Sequence, residues 1–236
     1  MTTLIGIQGD GFAAICSDSR IVSVAENGAA SAITHLGNNS SKVAQNGPYL
    51  LGAAGDVRAI NILHHAFQPP TPPNNLRGKK LDEFITVKFI PALRETFEKQ
   101  GYATPEREGT HIAEHESTVL VVIHGIIYVI DGDYSWCADS NGYYAIGSGG
   151  DFALGALHVL MNRKKGLTLQ AAKMIANKAI ATAAKYDVNT GAPYHTYVQE
   201  SSGKKNKQLL VTAKSNAKKV VKNAGRTKST VPTKRK

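Results

Sequence analysis

The chain opens with an alternation: Thr2, Leu4 and Gly6 fall on one side and Thr3, Ile5 and Ile7 on the other, the period of two that a strand imposes. Gly9-Asp10-Gly11 follows, and then the apolar run Phe12 to Cys16, so the first segment predicts a β-hairpin with a glycine-flanked turn. A second hairpin is expected from Lys42 to Gly55, its turn at Asn46-Gly47-Pro48 and its second strand rich in small residues. The polar segment 24–40 lies between them as a strand-bordered excursion. Asp56 is placed to cap a helical pattern from Val57 to Phe67, which the run Pro69-Pro70-Thr71-Pro72-Pro73 stops. Leu81 to Gly101 has helical periodicity, with a kink expected at Pro91. Residues 104–116 read as a polar loop.

β-Branched residues then dominate Ser117–His124 and Ile126–Asp131, with a tight reversal at Gly125, and strands continue through Trp136-Cys137 and Tyr143–Ile146. Helical patterns follow at about Asp151–Arg163 and Leu169–Lys185. Pro193–Gln199 and Gln208–Ala213 are expected to close a sheet as a final hairpin. The order is strands, two helices, strands, two helices, strands. Segregated helices and mostly antiparallel pairing predict an α+β domain over 2–214, a four-layer αββα sandwich with helices covering both outer faces of two packed sheets.

Charge changes the picture at the C-terminal end. The net charge is +10, yet from Ser201 onward there are twelve basic residues and no acid, so residues 1–200 are close to neutral. Residues 215–236 therefore read as a basic tail too poor in large apolar groups to fold, suited to nucleic acid or an acidic partner. It has no aromatic residues for base stacking. The longest apolar stretch, Ser117 to Ile130, is interrupted by His124-Gly125 and too short for a membrane-spanning helix. The N-terminus lacks a secretory pattern, and the two cysteines, Cys16 and Cys137, are both expected in strand cores, which suits a reduced, cytoplasmic setting.

The candidate chemistry sits at the start. Once Met1 is removed, Thr2 carries a hydroxyl and a free α-amine, a nucleophile and a base in one residue. Six signals occur in order along the chain: Thr2-Thr3 with Gly6, Asp18-Ser19-Arg20, Lys42, Gly52-Ala53-Ala54-Gly55-Asp56, Gly147-Ser148-Gly149-Gly150, and Asp187-Val188-Asn189-Thr190-Gly191. Together they resemble the N-terminal-nucleophile hydrolases of the proteasome β-subunit type, HslV included, over Thr2 to about Ala213. The resemblance implies a threonine peptidase in which Thr2 attacks the peptide carbonyl and its own amine carries the proton. It implies Lys42 as the active-site lysine and Asp18 as its ion partner. Ser148, Asp187 and Thr190 would orient the amine and a water, the Gly52 N–H would meet the oxyanion, and Leu50 and Ala54 would line the side-chain pocket. It further implies a polypeptide substrate, a homo-oligomeric ring or stacked rings, an ATP-dependent unfoldase as possible partner, no cofactor, and Met1 removal as the only processing step.

Other signals are weaker. His111 and His115 stand four apart but lack the His-Glu-x-x-His order of a zinc peptidase, so no metal is expected. His64-His65 would meet the C-terminal dipole of the first helix as cations. The glycine run 147–150 lacks the lysine of a phosphate-binding loop. The alternative readings are a catalytically silent shell whose basic tail does the binding, and an amidase of the same nucleophile class acting on a small acyl substrate.

Overall fold

The computed structural model describes residues 2–25, 30–37, 40–74, 76–103, 114–161 and 166–201. The expected strand Gln208–Ala213, the tail 215–236, His111 and Arg163 lie outside the described residues. β1 (Thr3–Gly9) and β2 (Phe12–Ser17) form the first hairpin. They sit in the middle of a four-stranded antiparallel sheet whose order is completed by β10 (Tyr143–Gly147) beside β1 and β11 (His195–Glu200) beside β2. β3 (Arg20–Val24) and β4 (Ala30–His35) pair as a separate ribbon. The second sheet runs β5 (Val43–Asn46), β6 (Tyr49–Ala54), β7 (Thr118–Ile123), β8 (Ile126–Ile130) and β9 (Trp136–Cys137) in order.

Alternation along the strands makes the layers. On β1 and β2, Ile5, Ile7, Phe12, Ala14 and Cys16 face the helices α4 (Gly150–Met161) and α5 (Leu169–Tyr186), meeting Ala153, Leu157, Ile175 and Ile180. The opposite faces carry Leu4, Ala13 and Ile15 against Leu50, Leu120 and Ile127 of the second sheet. The far side of that sheet packs Tyr49, Leu51, Val119 and Val121 on α1 (Val57–His65), α2 (Lys79–Phe84) and α3 (Ile90–Lys99). The result is the four-layer αββα sandwich, with the two sheets in contact through one apolar seam.

Local chemistry accounts for the element ends. Asp56 accepts a hydrogen bond from the Arg58 N–H and caps α1. His124 and Gly125 both have positive φ, 52° and 76°, which closes the tight β7–β8 hairpin. A π-helical turn, Ile85–Phe89, lies between α2 and α3 just before Pro91, and the Ile90 N–H there reaches back to the Ile85 carbonyl. A proline cannot donate to the preceding turn, and the wider turn falls where that bond is missing. Two sequence expectations need correction. Cys137 is exposed, because β9 is a two-residue strand at the sheet edge, whereas Cys16 is buried as expected and burial pushes its thiol up to about 12. β11 pairs with β2, as the closing strand of its sheet among the described residues. His64 is no exposed cation, since its Nε2 lies 2.7 Å from the Ser41 carbonyl and burial lowers its pKa.

Candidate active site

The site forms where β1 begins. Thr2 is buried, and its carbonyl packs so closely on Gly147 that a Cβ there would collide with the Thr2 oxygen. Thr3 follows as the first residue of β1, fully buried, and it joins two polar clusters.

The first cluster is centred on Asp18, at the end of β2. One carboxylate oxygen accepts from the Thr3 N–H at 3.1 Å and from Lys42 Nζ at 2.6 Å; the other accepts from the N–H groups of Arg20 at 3.0 Å and Gly191 at 3.1 Å. Lys42 also donates to the Arg20 carbonyl. Both side chains of the ion pair are completely enclosed. Burial pulls the Lys42 pKa below the usual lysine value, while the charge and hydrogen bond of Asp18 and the more distant charge of Asp187 push back. The lysine therefore gives up its proton more readily than a surface lysine. His64 steadies the approach to it by bonding the carbonyl of the preceding residue, Ser41.

The second cluster is centred on Asp187, just past α5. Ser148 Oγ donates to Asp187 Oδ2 at 2.8 Å and Thr190 Oγ1 donates to the same oxygen at 2.6 Å. The Asn189 backbone and side-chain amides take Oδ1, an Asx turn that fixes the loop. Burial pushes the Asp187 carboxyl up, but these hydrogen bonds outweigh it and hold the group below its ordinary value. Thr3 Oγ1 stands 2.5 Å from Thr190 Oγ1, so one hydroxyl chain runs from Thr3 through Thr190 to Asp187 and Ser148. Among the described residues no cluster of three metal-ligating side chains occurs.

Five of the residues expected from sequence therefore converge: Asp18, Lys42, Ser148, Asp187 and Thr190, with Thr2 next to the residue that links them. Ala54 also lies at the site, its Cβ 3.3 Å from where a Gly147 Cβ would stand. Gly52 and Leu50 do not. Gly52 is in the middle of β6, paired with Val43 on one side and Leu120 on the other, so its N–H belongs to the sheet ladder. A Cβ there would stand 3.2 Å from Leu4 Cδ1, which makes Gly52 a packing glycine of the inter-sheet seam. Leu50 points into that same seam, buried between the sheets.

Sequence reasoning misses three contributors. Thr3 stands out there only as half of a doublet. Arg20 gives its carbonyl to Lys42 and its guanidinium to the Val188 carbonyl at 2.8 Å. Gly149 admits the hydroxyl chain: a Cβ there would collide with Thr3 Oγ1 and fall 2.8 Å from Thr190 Oγ1 and 3.0 Å from Asp187 Oδ2. The Gly-rich spelling of these segments is the available signal; only the fold says which glycine meets what.

Solved structures share this architecture. Thiobacillus denitrificans BPH superposes with a TM-score of 0.64 at 22% identity, covering 85% of this chain and 99% of that one. The same protein in complex with epoxomicin gives 0.64 at 21% identity, with the same coverage. Eukaryotic HslV from Trypanosoma brucei gives 0.55 at 20% identity, covering 84% and 99%. The chain has the proteasome-type N-terminal-nucleophile hydrolase fold. No family model matches the sequence, and no curated protein matches it. Among the described residues no helix is long and apolar enough to cross a membrane.

Proposed function

We propose that the chain is a threonine-type endopeptidase whose nucleophile is Thr2 after loss of Met1. The observation that carries this reading is the enclosed Lys42–Asp18 pair hydrogen-bonded to the backbone of Thr3, one residue from the proposed nucleophile. Desolvating an ammonium and a carboxylate is costly, and burying the pair does little for stability that apolar residues would not do. Its placement behind the first residue makes sense as an electrostatic device for activating a hydroxyl.

In this reading the Thr2 hydroxyl attacks a peptide carbonyl while its α-amine takes the proton and passes it to the leaving amine; water then resolves the acyl ester by the reverse transfer. Lys42 supplies positive charge beside the reacting oxygen. The Asp187, Thr190 and Ser148 chain orients the amine and the water. Substrate enters beside Ala54. Assembly into a ring chamber is supported by exposed apolar residues on the outer helices, among them Phe152, Val159, Met174 and Tyr186, and by an open α4–α5 groove of about 670 Å³. Thiobacillus denitrificans BPH, which shares the fold, has been solved in complex with epoxomicin, and this makes a peptide epoxyketone a suitable probe here.

The test is the intact mass of the purified chain before and after incubation with a peptide epoxyketone, with a native mass spectrum of the same sample. Loss of one methionine, a single adduct absent in Thr2→Ala, and a homo-oligomer are expected. A processed chain that assembles yet forms no adduct, or full hydrolytic activity in Thr2→Ala, would replace this reading by the silent shell or by another nucleophile.

A further inference from the structure

The two clusters of the site sit on different stretches of chain, and the short link between β2 and β3 is where those stretches meet. The Gly191 N–H donates to Asp18 Oδ2 at 3.1 Å, the Ser19 N–H to the Gly191 carbonyl at 3.2 Å, and Ser19 Oγ to the Pro193 carbonyl at 2.7 Å. These contacts hold the far end of the loop that follows α5, residues 191–193. The near end, residues 187–190, carries Asp187, Asn189 and Thr190. Among the described residues, the contact that ties this near end to the link is Arg20 Nη1, which donates to the Val188 carbonyl at 2.8 Å.

The guanidinium is seated for this contact. A Cβ at Gly191 would collide with Arg20 Nε and stand 2.6 Å from Cζ and 2.7 Å from Nη2, so the bare glycine is what lets the group lie against the loop. Arg20 Nε is buried with no hydrogen-bond partner among the described residues, a desolvation cost that stability alone does not favour. The main chain of Arg20 belongs to the other cluster: its N–H donates to Asp18 Oδ2 at 3.0 Å and its carbonyl accepts from Lys42 Nζ. One residue therefore meets the Lys42–Asp18 pair with its backbone and the Asp187 loop with its side chain. The charges that act on Lys42 are those of Asp18 and Asp187, and Asp187 answers to burial and to hydrogen bonds from Thr190, Ser148 and Asn189. Arg20 thus acts through its bonds, and the reach of the Asp187 charge to Lys42 makes the seat of the loop matter to the pair.

We propose that the Arg20 side chain is a positioning residue: it clamps the near end of the 187–191 loop onto the β2–β3 link and so keeps the Thr190–Asp187–Ser148 chain in register with the Lys42–Asp18 pair. Without the clamp, Val188 and Asn189 lose their tie to the link, and the carboxylate that receives Thr190 and Ser148 moves with them. The far end stays fastened through Ser19, and the backbone bonds of Arg20 do not depend on its side chain. Substituting the side chain therefore loosens one half of the loop and leaves the ion pair in place. The consequence for catalysis rests on the peptidase reading; the clamp itself does not.

The experiment has two arms on the full chain, with Arg20→Ala, Arg20→Lys and Gly191→Ala. The first removes the guanidinium, the second keeps a cationic donor of similar reach, and the third leaves Arg20 intact but pushes it off its seat. In the first arm, amide hydrogen exchange is followed by mass spectrometry. Peptides covering 187–191 should exchange about tenfold or more faster in Arg20→Ala and in Gly191→Ala, with Arg20→Lys close to wild type and the β1–β2 amides equally protected in all forms. Wild-type exchange of that segment in both Arg20→Ala and Gly191→Ala overturns the clamp, whether or not the chain is a peptidase. In the second arm, kcat and KM on a peptide are measured together with the rate and end point of epoxyketone labelling. Arg20→Ala should lower kcat and the labelling rate by about tenfold, with KM changed by less than about twofold, and Arg20→Lys should recover most of the loss. The end point should stay at one adduct per chain, because the site is misaligned rather than unfolded. A reduced end point with a normal rate, or wild-type kcat in a chain whose loop exchanges fast, overturns the positioning role. Absence of activity and of adduct in every form counts against the peptidase reading, and the exchange arm then decides the clamp on its own.

Discussion

At the scale of single residues, the two halves of the buried ion pair are not equally supported. Asp18 accepts three backbone N–H bonds besides Lys42, from Thr3, Arg20 and Gly191, whereas among the described residues Lys42 keeps only the Arg20 carbonyl once Asp18 is gone. Asp18→Ala leaves a cation without its counter-charge in an enclosed site, and should cost about 3–5 kcal/mol in denaturant-derived stability. Lys42→Met leaves a carboxylate that three amides still solvate, so the loss should be clearly smaller, although both variants should be inactive toward peptides. Urea unfolding of the two proteins side by side checks the order; equal losses would mean that the backbone amides do little for Asp18. Sequence makes both residues visible by type and order, but not this asymmetry. The amides come from residues 3, 20 and 191, and no spacing along the chain reveals that they point at one carboxylate.

At the scale of elements, the pattern of the chain is legible wherever a period or a turn signal runs unbroken. The β1–β2 hairpin, the Asp56-capped α1, the His124-Gly125 reversal and α5 all follow from alternation, caps and turn residues. It misleads where tertiary packing chooses among similar residues. Gly52 and Gly55 are three apart in one small-residue stretch, and only the pairing of β6 with both β5 and β7 shows that the first is committed to the ladder, while the second, at φ +132°, lies one residue beyond the strand. The same applies to the run 147–150, which in sequence is a glycine-rich turn and no more. Within it Gly149 exists for the β10–α4 corner to approach Thr3 and Thr190. Gly149→Ala should therefore displace the Thr3–Thr190–Asp187 chain without unfolding the domain. The expected result is a fall in kcat and in the rate of epoxyketone labelling of about tenfold or more, with melting lowered by only a few degrees, since about 1–2 kcal/mol of local hydrogen bonding is disturbed. Wild-type labelling in that variant would show that the corner can relax and that the chain of hydroxyls is not needed.

At the scale of the whole molecule, the sandwich buries several histidines as neutral groups, and this sets how the fold responds to acid. His115 is the strongest case. It packs against Phe97, Tyr102 and Tyr134, and its Nδ1 accepts the Ser117 N–H, so the ring is neutral with its proton on Nε2. Burial brings its pKa down to about 4, and burial also lowers His64, His124 and His195. An unfolded histidine binds a proton near pH 6.5, so between there and pH 4 the unfolded chain holds more protons than the native one and stability falls as pH falls. His115 alone can account for about 3 kcal/mol over that interval. Asp187, depressed in the fold, extends the loss below about pH 4 as its hydrogen-bonded carboxylate is protonated. At the other end, the Cys16 thiol and the buried tyrosines Tyr49 and Tyr134 have raised pKa values, so stability should fall again once the pH passes their unfolded values, from about pH 8.5 for the thiol upward. The plateau of maximum stability should therefore span about pH 7 to 8.5. Urea midpoints at pH 7.5, 6 and 5 should drop in sequence. His115→Asn, which can still accept the Ser117 N–H, should start lower but decline less steeply. An unchanged slope in that variant would place the acid sensitivity in other groups.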